Sequence, residues 1–242
     1  MATPDTLTPP RDPERPRRTR WPRASLTVAV TAVSCVLITL VFVPTYLTLD
    51  PDTSRIEIRP DSALHFPFLV VHAVTGGVAL LSGPPQFSRR LRRHRTWHRW
   101  TGRVYLFAGV LPSALTGIVA ALLTPSGPAS MAAFLMLDVL WITTALAAYH
   151  AARTRRFAAH REWMLRNFAL TFSAVTLRLW LGVLIAVQLP WLESGYNGDF
   201  ERLFDTAYAI THWVAWLPNL LLMEVYLARH AAREALTAAR QG

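Results

Sequence analysis

Long apolar stretches alternate with short polar stretches from about residue 25 almost to the end of the chain. A helix that crosses the hydrocarbon core of a bilayer needs roughly 20 mainly apolar residues. Six stretches come close to that length, and we expect each to form a transmembrane helix: 25–47, 66–83, 104–123, 131–149, 168–189 and 207–227. The pattern therefore predicts an all-α integral membrane protein built as a six-helix bundle.

The polar connections alternate in charge along the chain. Arginine dominates the segment before the first stretch, the two connections at 89–103 and 153–166, and the C-terminal end, whereas the remaining connections are acidic or uncharged. Cytoplasmic loops of membrane proteins are enriched in Lys and Arg. The alternation predicts a multi-pass protein of the plasma membrane with both termini cytoplasmic, and one span more or fewer would break it.

Three regions follow from this pattern. Residues 1–23 are rich in Pro and Arg, bury too little apolar surface to fold, and are predicted to be a disordered cytoplasmic tail. Residues 24–230 form the six-span domain, and 231–242 form a short cytoplasmic tail. The first span resembles a signal peptide in following basic residues, but its apolar part is long and residues 43–45 offer no small-residue cleavage site. We therefore interpret it as an uncleaved anchor.

Composition agrees with a membrane location and excludes one class of partner. Of the 242 residues, 52% are hydrophobic and 17% are charged, against about 25% charged in typical soluble domains. All 25 basic residues are arginine and the net charge is +10, yet the arginines alternate with apolar runs, which argues against nucleic-acid binding. Juxtamembrane arginine clusters bind anionic lipid headgroups, and we expect this at 89–103 and 153–166.

Two residues of opposite charge fall inside predicted spans. Asp138 and Arg178 both lie near the midplane when helices rise 1.5 Å per residue. Each would cost roughly 2.5–3.5 kcal/mol there on insertion scales, and less if the two groups pair or face water. We expect a buried ion pair or a shared polar cavity, which either only fixes helix register or takes part in proton, ion or redox chemistry.

Histidines fall in two layers across the predicted bundle. His72 and His212 lie in the outer half, and His98 and His160 lie at the inner boundary. Haem b in membrane cytochromes is held between imidazoles of different helices, and nearby arginines can neutralise its propionates. The layers therefore suggest two haem sites, one for each pair. The alternative is that these histidines only hydrogen-bond to loops, headgroups or interior groups.

The chain contains no nucleotide-binding glycine loop, metalloprotease helix or nucleophile elbow. No catalytic residue and no metal-ion site is therefore assigned, and the sequence leaves open whether the protein is an enzyme.

Three motifs resemble those of a known family. The chain carries His72-x3-Gly76-Gly77-x3-Leu81-x-Gly83-Pro84-x-Gln86-Phe87, then His98-Arg99-x2-Gly102-Arg103-x-Tyr105, then His160-Arg161-x-Trp163-Met164-x-Arg166. Together with Leu177-Arg178 they resemble a family of predicted bacterial multi-pass membrane proteins catalogued only as a domain of unknown function. The resemblance covers roughly residues 65–227, implies a helical membrane domain, and supplies no reaction.

Two classes of function remain open after these observations. The first is membrane electron transfer linked to haem b or a quinone, which would use the two histidine layers. The second is a non-redox transporter or lipid-interacting membrane protein in which Asp138 and Arg178 form a polar site.

Overall fold

A computed structural model of the chain describes residues 23–54 and 56–239, and the side chains of 23–25 and 89 lie outside that description. The described part is helical and contains no strand. Its helices are α1 (Arg23–Leu47), α2 (His65–Gln86), α3 (Arg89–Arg93), α4 (Arg95–Arg103), α5 (Leu111–Leu122), α6 (Gly127–Arg153), α7 (Phe157–Thr171), α8 (Ser173–Gln188), α9 (Leu192–Tyr196), α10 (Phe200–Val214) and α11 (Leu217–Ala239). The expected N-terminal tail lies mostly outside the described residues.

Five helical segments of the described chain are long and apolar enough to cross a membrane. They are Leu26–Leu47, His65–Gln86, Arg95–Leu122, Gly127–Arg153 and Phe157–Tyr196. Each coincides with one of the first five predicted spans, to within one residue where it is the shorter of the two, so the all-α membrane class is confirmed. The sixth predicted span, 207–227, is divided between α10 and α11. That this segment crosses the membrane stays a prediction.

The break between α10 and α11 has a local cause. Helix α10 ends at Val214 and α11 begins at Leu217, with Pro218 in its first turn. Proline has no N–H to donate and its ring clashes with the carbonyl four residues earlier, so a helix stops or bends before it. Proline is well tolerated in the first turn of the next helix. At Pro218 the chain therefore changes from one helix to another.

The segment that was expected to be a loop at 89–103 is helical. Helices α3 and α4 occupy it, and α4 continues through a π-helical turn at Val104–Val110 into α5. Arginine is a good helix former, and Trp97 and Trp100 on α4 are exposed. We call the end of the bundle that carries α3, α4 and the connection between α6 and α7 the inner end, and the opposite end the outer end.

The π-helical turn lies where it and α2 approach each other closely. A Cβ at Gly109 would lie 2.9 Å from both the Cα and the N of Ala79 on α2, so only glycine fits at this crossing. Close approach through small residues is how membrane helices pack without a hydrophobic driving force between them. Around this contact lies the core, which includes Tyr105, Trp141 and Trp216.

Candidate functional site

The predicted outer pair and the predicted charged residues line one cavity. The cavity has a volume of about 210 Å³ and lies among α1, α2, α5, α6, α8 and α10. His72, His212, Asp138 and Arg178 all contribute to its wall. The structure therefore brings four predicted site residues from four helices to one place; whether Asp138 and Arg178 pair stays a prediction.

The ring of His72 is held in one orientation by α5. Its Nδ1 lies 2.9 Å from the backbone O of Ser113, and the Ser113 hydroxyl donates to the backbone O of His72 at 2.9 Å. Because a carbonyl oxygen can only accept, Nδ1 carries the proton and Nε2 keeps its lone pair. This Nε2 makes no hydrogen bond to any described residue, so it is available to a ligand.

Gly117 makes room for His72 and Asp138 in the same small space. A Cβ at this position would lie 2.8 Å from Nδ1 of His72, and 2.7 and 2.9 Å from the two carboxyl oxygens of Asp138. Asp138 is 4% exposed, and its carboxyl group makes no hydrogen bond to the residues that the structure describes. A polar side chain this deep in the bundle therefore faces the cavity.

His212 faces the same cavity from α10 between two aromatic rings. Its ring centroid lies 4.3 Å from that of Phe134 and 4.2 Å from that of Tyr208. Both of its ring nitrogens are buried and have no hydrogen-bond partner in the described chain. Since buried polar atoms are nearly always paired, an imidazole with two unpaired nitrogens is a candidate for a bound group.

Arg178 lies where the cavity approaches α1. Its guanidinium donates from Nη1 to the backbone O of Ala174 at 2.8 Å, and lies over the ring of Phe42 at 4.6 Å from the centroid. The aromatic face and the carbonyl both favour a cation. These contacts let a charged group sit in the middle of the membrane-spanning region.

The residues of the predicted inner pair both lie at the inner end of the bundle. His98 belongs to α4 and His160 to α7. His160 donates from Nδ1 to the backbone O of Ala148 at 2.9 Å, which again leaves Nε2 with its lone pair. The Nδ1 of His98 is buried without a hydrogen-bond partner among the described residues.

A buried hydrogen-bond network between the two layers was not expected from the sequence. The hydroxyl of Tyr105 lies 2.6 Å from Oδ1 of Asn167 and 2.7 Å from Oγ1 of Thr171, and Trp141 donates to the same Thr171 oxygen at 2.9 Å. Asn167 also donates to the backbone O of Trp141 and to Thr144. Asn167 and Thr171 are polar residues four positions apart at the start of the fifth predicted span, and this spacing on one helix face was the available signal.

The two histidine pairs share one pattern. In each pair, one imidazole is fixed through Nδ1 by a backbone carbonyl, and the other has an unpaired buried ring nitrogen. A histidine that binds a metal usually donates its other nitrogen to a carbonyl or carboxylate, and His72 and His160 each have a backbone carbonyl as such a partner. Among the described residues, no group of three His, Cys, Asp or Glu side chains forms a metal site.

A haem at the outer pair, His72 and His212, also needs enough room for its macrocycle. The cavity of about 210 Å³ is below the roughly 300 Å³ at which pockets for drug-sized ligands begin. A macrocycle needs more room than that. The ring of Phe134 packs on His212 and lines this space. The imidazole nitrogens are of the type that binds haem iron, but the cavity as it stands does not hold the macrocycle.

Fold and site together define a helical multi-pass membrane protein with a polar interior. The family model described as "Predicted membrane protein (DUF2306)" matches residues 69–227. The chain therefore belongs to this family, as its motifs indicated, and the matched region contains the four histidines, Asp138 and Arg178. Neither the curated proteins nor the solved structures include a match to the chain.

Proposed function

We propose that the protein is a haem b-linked electron carrier of the plasma membrane. The observation that carries this proposal is the nitrogen pattern of the two histidine pairs. His72 and His160 each have Nδ1 on a backbone carbonyl, and His98 and His212 have unpaired buried nitrogens. One such pair has an ordinary explanation in helix packing, but its repetition at both ends of the bundle supports a repeated ligand.

In this proposal the protein's own groups hold and orient the haem. His72 with His212, and His98 with His160, would hold the haem iron through their imidazoles, and arginines at the inner end would neutralise its propionates. The carbonyls of Ser113 and Ala148 fix the ring orientation of one ligand in each pair. Haem supplies one-electron redox chemistry. No residue is assigned a catalytic role.

The visible spectrum of the purified protein tests the proposal. In cells with ample haem supply, we expect a Soret band and two haems per chain. His72→Ala or His212→Ala should remove one haem, and His98→Ala or His160→Ala should remove the other. His94 is exposed, so His94→Ala is the matched control and should keep both. A colourless wild-type protein would overturn the proposal.

A second candidate function rests on a different observation. Asp138 is buried, faces the cavity and makes no hydrogen bond to a described residue. Ionisable residues inside membranes usually line substrate or ion pathways. A colourless protein whose transport of an ion or small solute is lost in Asp138→Asn and Arg178→Gln would favour a non-redox transporter or lipid-interacting protein with an Asp138–Arg178 site.

We also propose that the inner end is cytoplasmic and binds anionic lipid headgroups. The exposed arginines of α3 and α4 and those around the connection between α6 and α7 support this, because basic clusters beside a span remain on the cytoplasmic side and attract anionic lipids. Both termini are then cytoplasmic.

A further inference from the structure

The cavity reaches the outer end of the bundle beneath the connection between α1 and α2. Ile56 and Glu57 of that connection line it, as do Thr124 and Ser126 of the connection between α5 and α6. Glu57 and Ser126 are also exposed to solvent. Side chains that lie on the cavity wall and on the surface at once mark an opening, so the cavity has a mouth at the outer end.

We call residues 56–64, between this mouth and the start of α2, the outer strap. Its two isoleucines pack on an apolar cluster that three helices share: Tyr46 of α1, Leu69 of α2 and Ala120 of α5. Most of its other residues are exposed. Segments with few buried apolar contacts open at a lower free-energy cost than the core of a protein. The strap is therefore a part of the cavity wall that can lift without unfolding the bundle.

One arginine ties the strap to the end of α5. Arg59 donates from Nε to the backbone O of Leu123 at 3.0 Å and from Nη2 to that of Thr124 at 3.5 Å. Carbonyls at the C-terminal end of a helix lack helical partners and carry the negative end of its dipole, so they favour a cation. These two hydrogen bonds join the two connections that border the mouth.

The other attachment of the strap is an imidazole. The backbone N–H of Arg59 donates to Nδ1 of His65 at 2.9 Å, and His65 is 1% exposed. The nitrogen that accepts this hydrogen bond must be unprotonated, because both nitrogens of a protonated imidazole are donors. Protonation of His65 therefore breaks the attachment and adds a positive charge next to the arginine that holds the strap on α5.

Other charged and titratable groups surround the cavity. The strap carries two exposed carboxylates, Glu57 and Asp61, which solvent screens. Helix α5 carries no titratable side chain. The cavity wall adds a further set: Tyr46, His72, Asp138, Arg178, Tyr208 and His212. The hydrogen bond from Arg59 is the contact that protonation of His65 removes directly, so it decides the effect on the strap.

We propose that the outer strap is a lid over the cavity, latched by Arg59 and released when His65 is protonated. Lifting the strap opens the cavity to small water-soluble molecules from the aqueous phase at the outer end. Because the lid controls entry, it acts in the same way whichever group the cavity binds, and neither haem nor a substrate is needed to detect it.

Thiol labelling below the strap is the first measurement. Ala121 of α5 lines the cavity and is 3% exposed, whereas Ser126 is exposed at the mouth. In a Cys35→Ala background, Ala121→Cys should react with a charged methanethiosulfonate more slowly than Ser126→Cys does. Since Arg59→Ala removes the charged hydrogen bonds of the latch, we expect it to raise the ratio of the first rate to the second roughly tenfold.

A second arginine provides the matched control. Arg202 is exposed and belongs to α10 rather than to the strap, so Arg202→Ala removes the same charge and should leave the ratio unchanged. If Ala121→Cys does not fold, Ala73→Cys on α2 lines the same cavity and takes its place. Equal ratios with Arg59 intact, in Arg59→Ala and in Arg202→Ala would overturn the lid.

The pH dependence of this ratio is the second measurement. The thiolate is the reacting form at both positions, so its titration largely cancels in the ratio. From about pH 7.5 to about pH 5, across the range in which imidazoles titrate, the ratio should rise roughly tenfold. In His65→Asn an amide oxygen can accept from the N–H of Arg59 but does not titrate, so the ratio should stay low at both pH values. An equal rise in His65→Asn, or no rise with His65 intact, would overturn release through His65.

Discussion

The hydrogen-bond partner of a buried imidazole decides which of its nitrogens remains for a ligand. His72 and His160 donate from Nδ1 to carbonyls, so their Nε2 atoms keep a lone pair. His65 has the opposite arrangement, because its Nδ1 accepts from the backbone N–H of Arg59 at 2.9 Å. At the scale of single residues, backbone groups thus leave a lone pair on Nε2 of His72 and of His160, the proposed ligands, whereas the Nδ1 lone pair of His65 is used to hold a loop.

Glycine at a helix crossing offers a test at the same scale. Gly109→Ala would place a methyl group 2.9 Å from the backbone of Ala79, so α2 and the π-helical turn must separate. Overpacking of this kind costs about 1–3 kcal/mol, and we expect a lower unfolding temperature in detergent.

The matched control is Gly182→Ala in α8, where nothing lies within 4 Å of the added methyl group. Replacing glycine within a helix at an open position stabilises by roughly 0.5–1 kcal/mol. If the two variants unfold at the same temperature, the contact between α2 and the π-helical turn is not a tight one.

At the scale of elements, an ion pair joins α7 to α11. Arg166 donates from Nε and Nη2 to the two carboxyl oxygens of Glu224 at 2.6 and 2.9 Å. Its guanidinium also lies over Trp163 at 4.8 Å from the ring centroid. Because α11 has no buried residue of its own, this two-point contact contributes to its placement against the bundle.

A double-mutant cycle with Arg166→Gln and Glu224→Gln measures this contact. The Glu224 side chain is 46% exposed, so solvent weakens the pair and we expect a coupling of about 0.5–1 kcal/mol. Glu162 contacts the same guanidinium at 3.7 Å and serves as the comparison, with a smaller coupling. Equal coupling energies in the two cycles would show that the bidentate geometry of Arg166 and Glu224 adds no stability over a single contact.

Most of the helices and part of the candidate site could be predicted from the sequence. Apolar length alone located five spans, because a bilayer imposes that length. His72, Asp138 and Arg178, chosen for their polarity inside those spans, line one cavity together with His212 of the sixth predicted span. The sequence did not predict the network around Tyr105 or the carbonyl partners of His72 and His160. Those depend on how neighbouring helices are rotated and on backbone groups, which the order of side chains does not specify.

At the scale of the whole molecule, the alternation of charge predicts which end faces the cytoplasm. The native thiol of Cys35 is buried, so single exposed cysteines placed in a Cys35→Ala background report the orientation through a membrane-impermeant maleimide. In intact cells we expect labelling of Asp52→Cys and Glu201→Cys, which lie at the outer end. Three further variants should be labelled only after permeabilisation: Arg95→Cys, Arg155→Cys and Arg233→Cys. Labelling of Arg233→Cys in intact cells would show that the chain does not cross the membrane a sixth time.

Anionic lipid should stabilise the molecule from the inner end. Arginine near a bilayer surface gains about 1 kcal/mol from anionic lipid. We expect phosphatidylglycerol to raise the unfolding temperature of the wild type, and to raise that of Arg92→Gln/Arg95→Gln/Arg99→Gln much less. Arg202 lies at the outer end, and Arg202→Gln should respond as the wild type does. An equal response from all three proteins would argue against headgroup binding at α3 and α4.

The π-helical turn at Val104–Val110 sets how the two halves of its helix are rotated about their common axis. Each π turn takes in one residue more than an α turn, which corresponds to roughly 100° of rotation. Shortening this turn by one residue would give an ordinary α-helix that still spans the bilayer. Ser113 and Gly117 would then point away from His72 while Tyr105 kept its place. The bundle could thus lose its interior site through a single codon deletion without losing a helix.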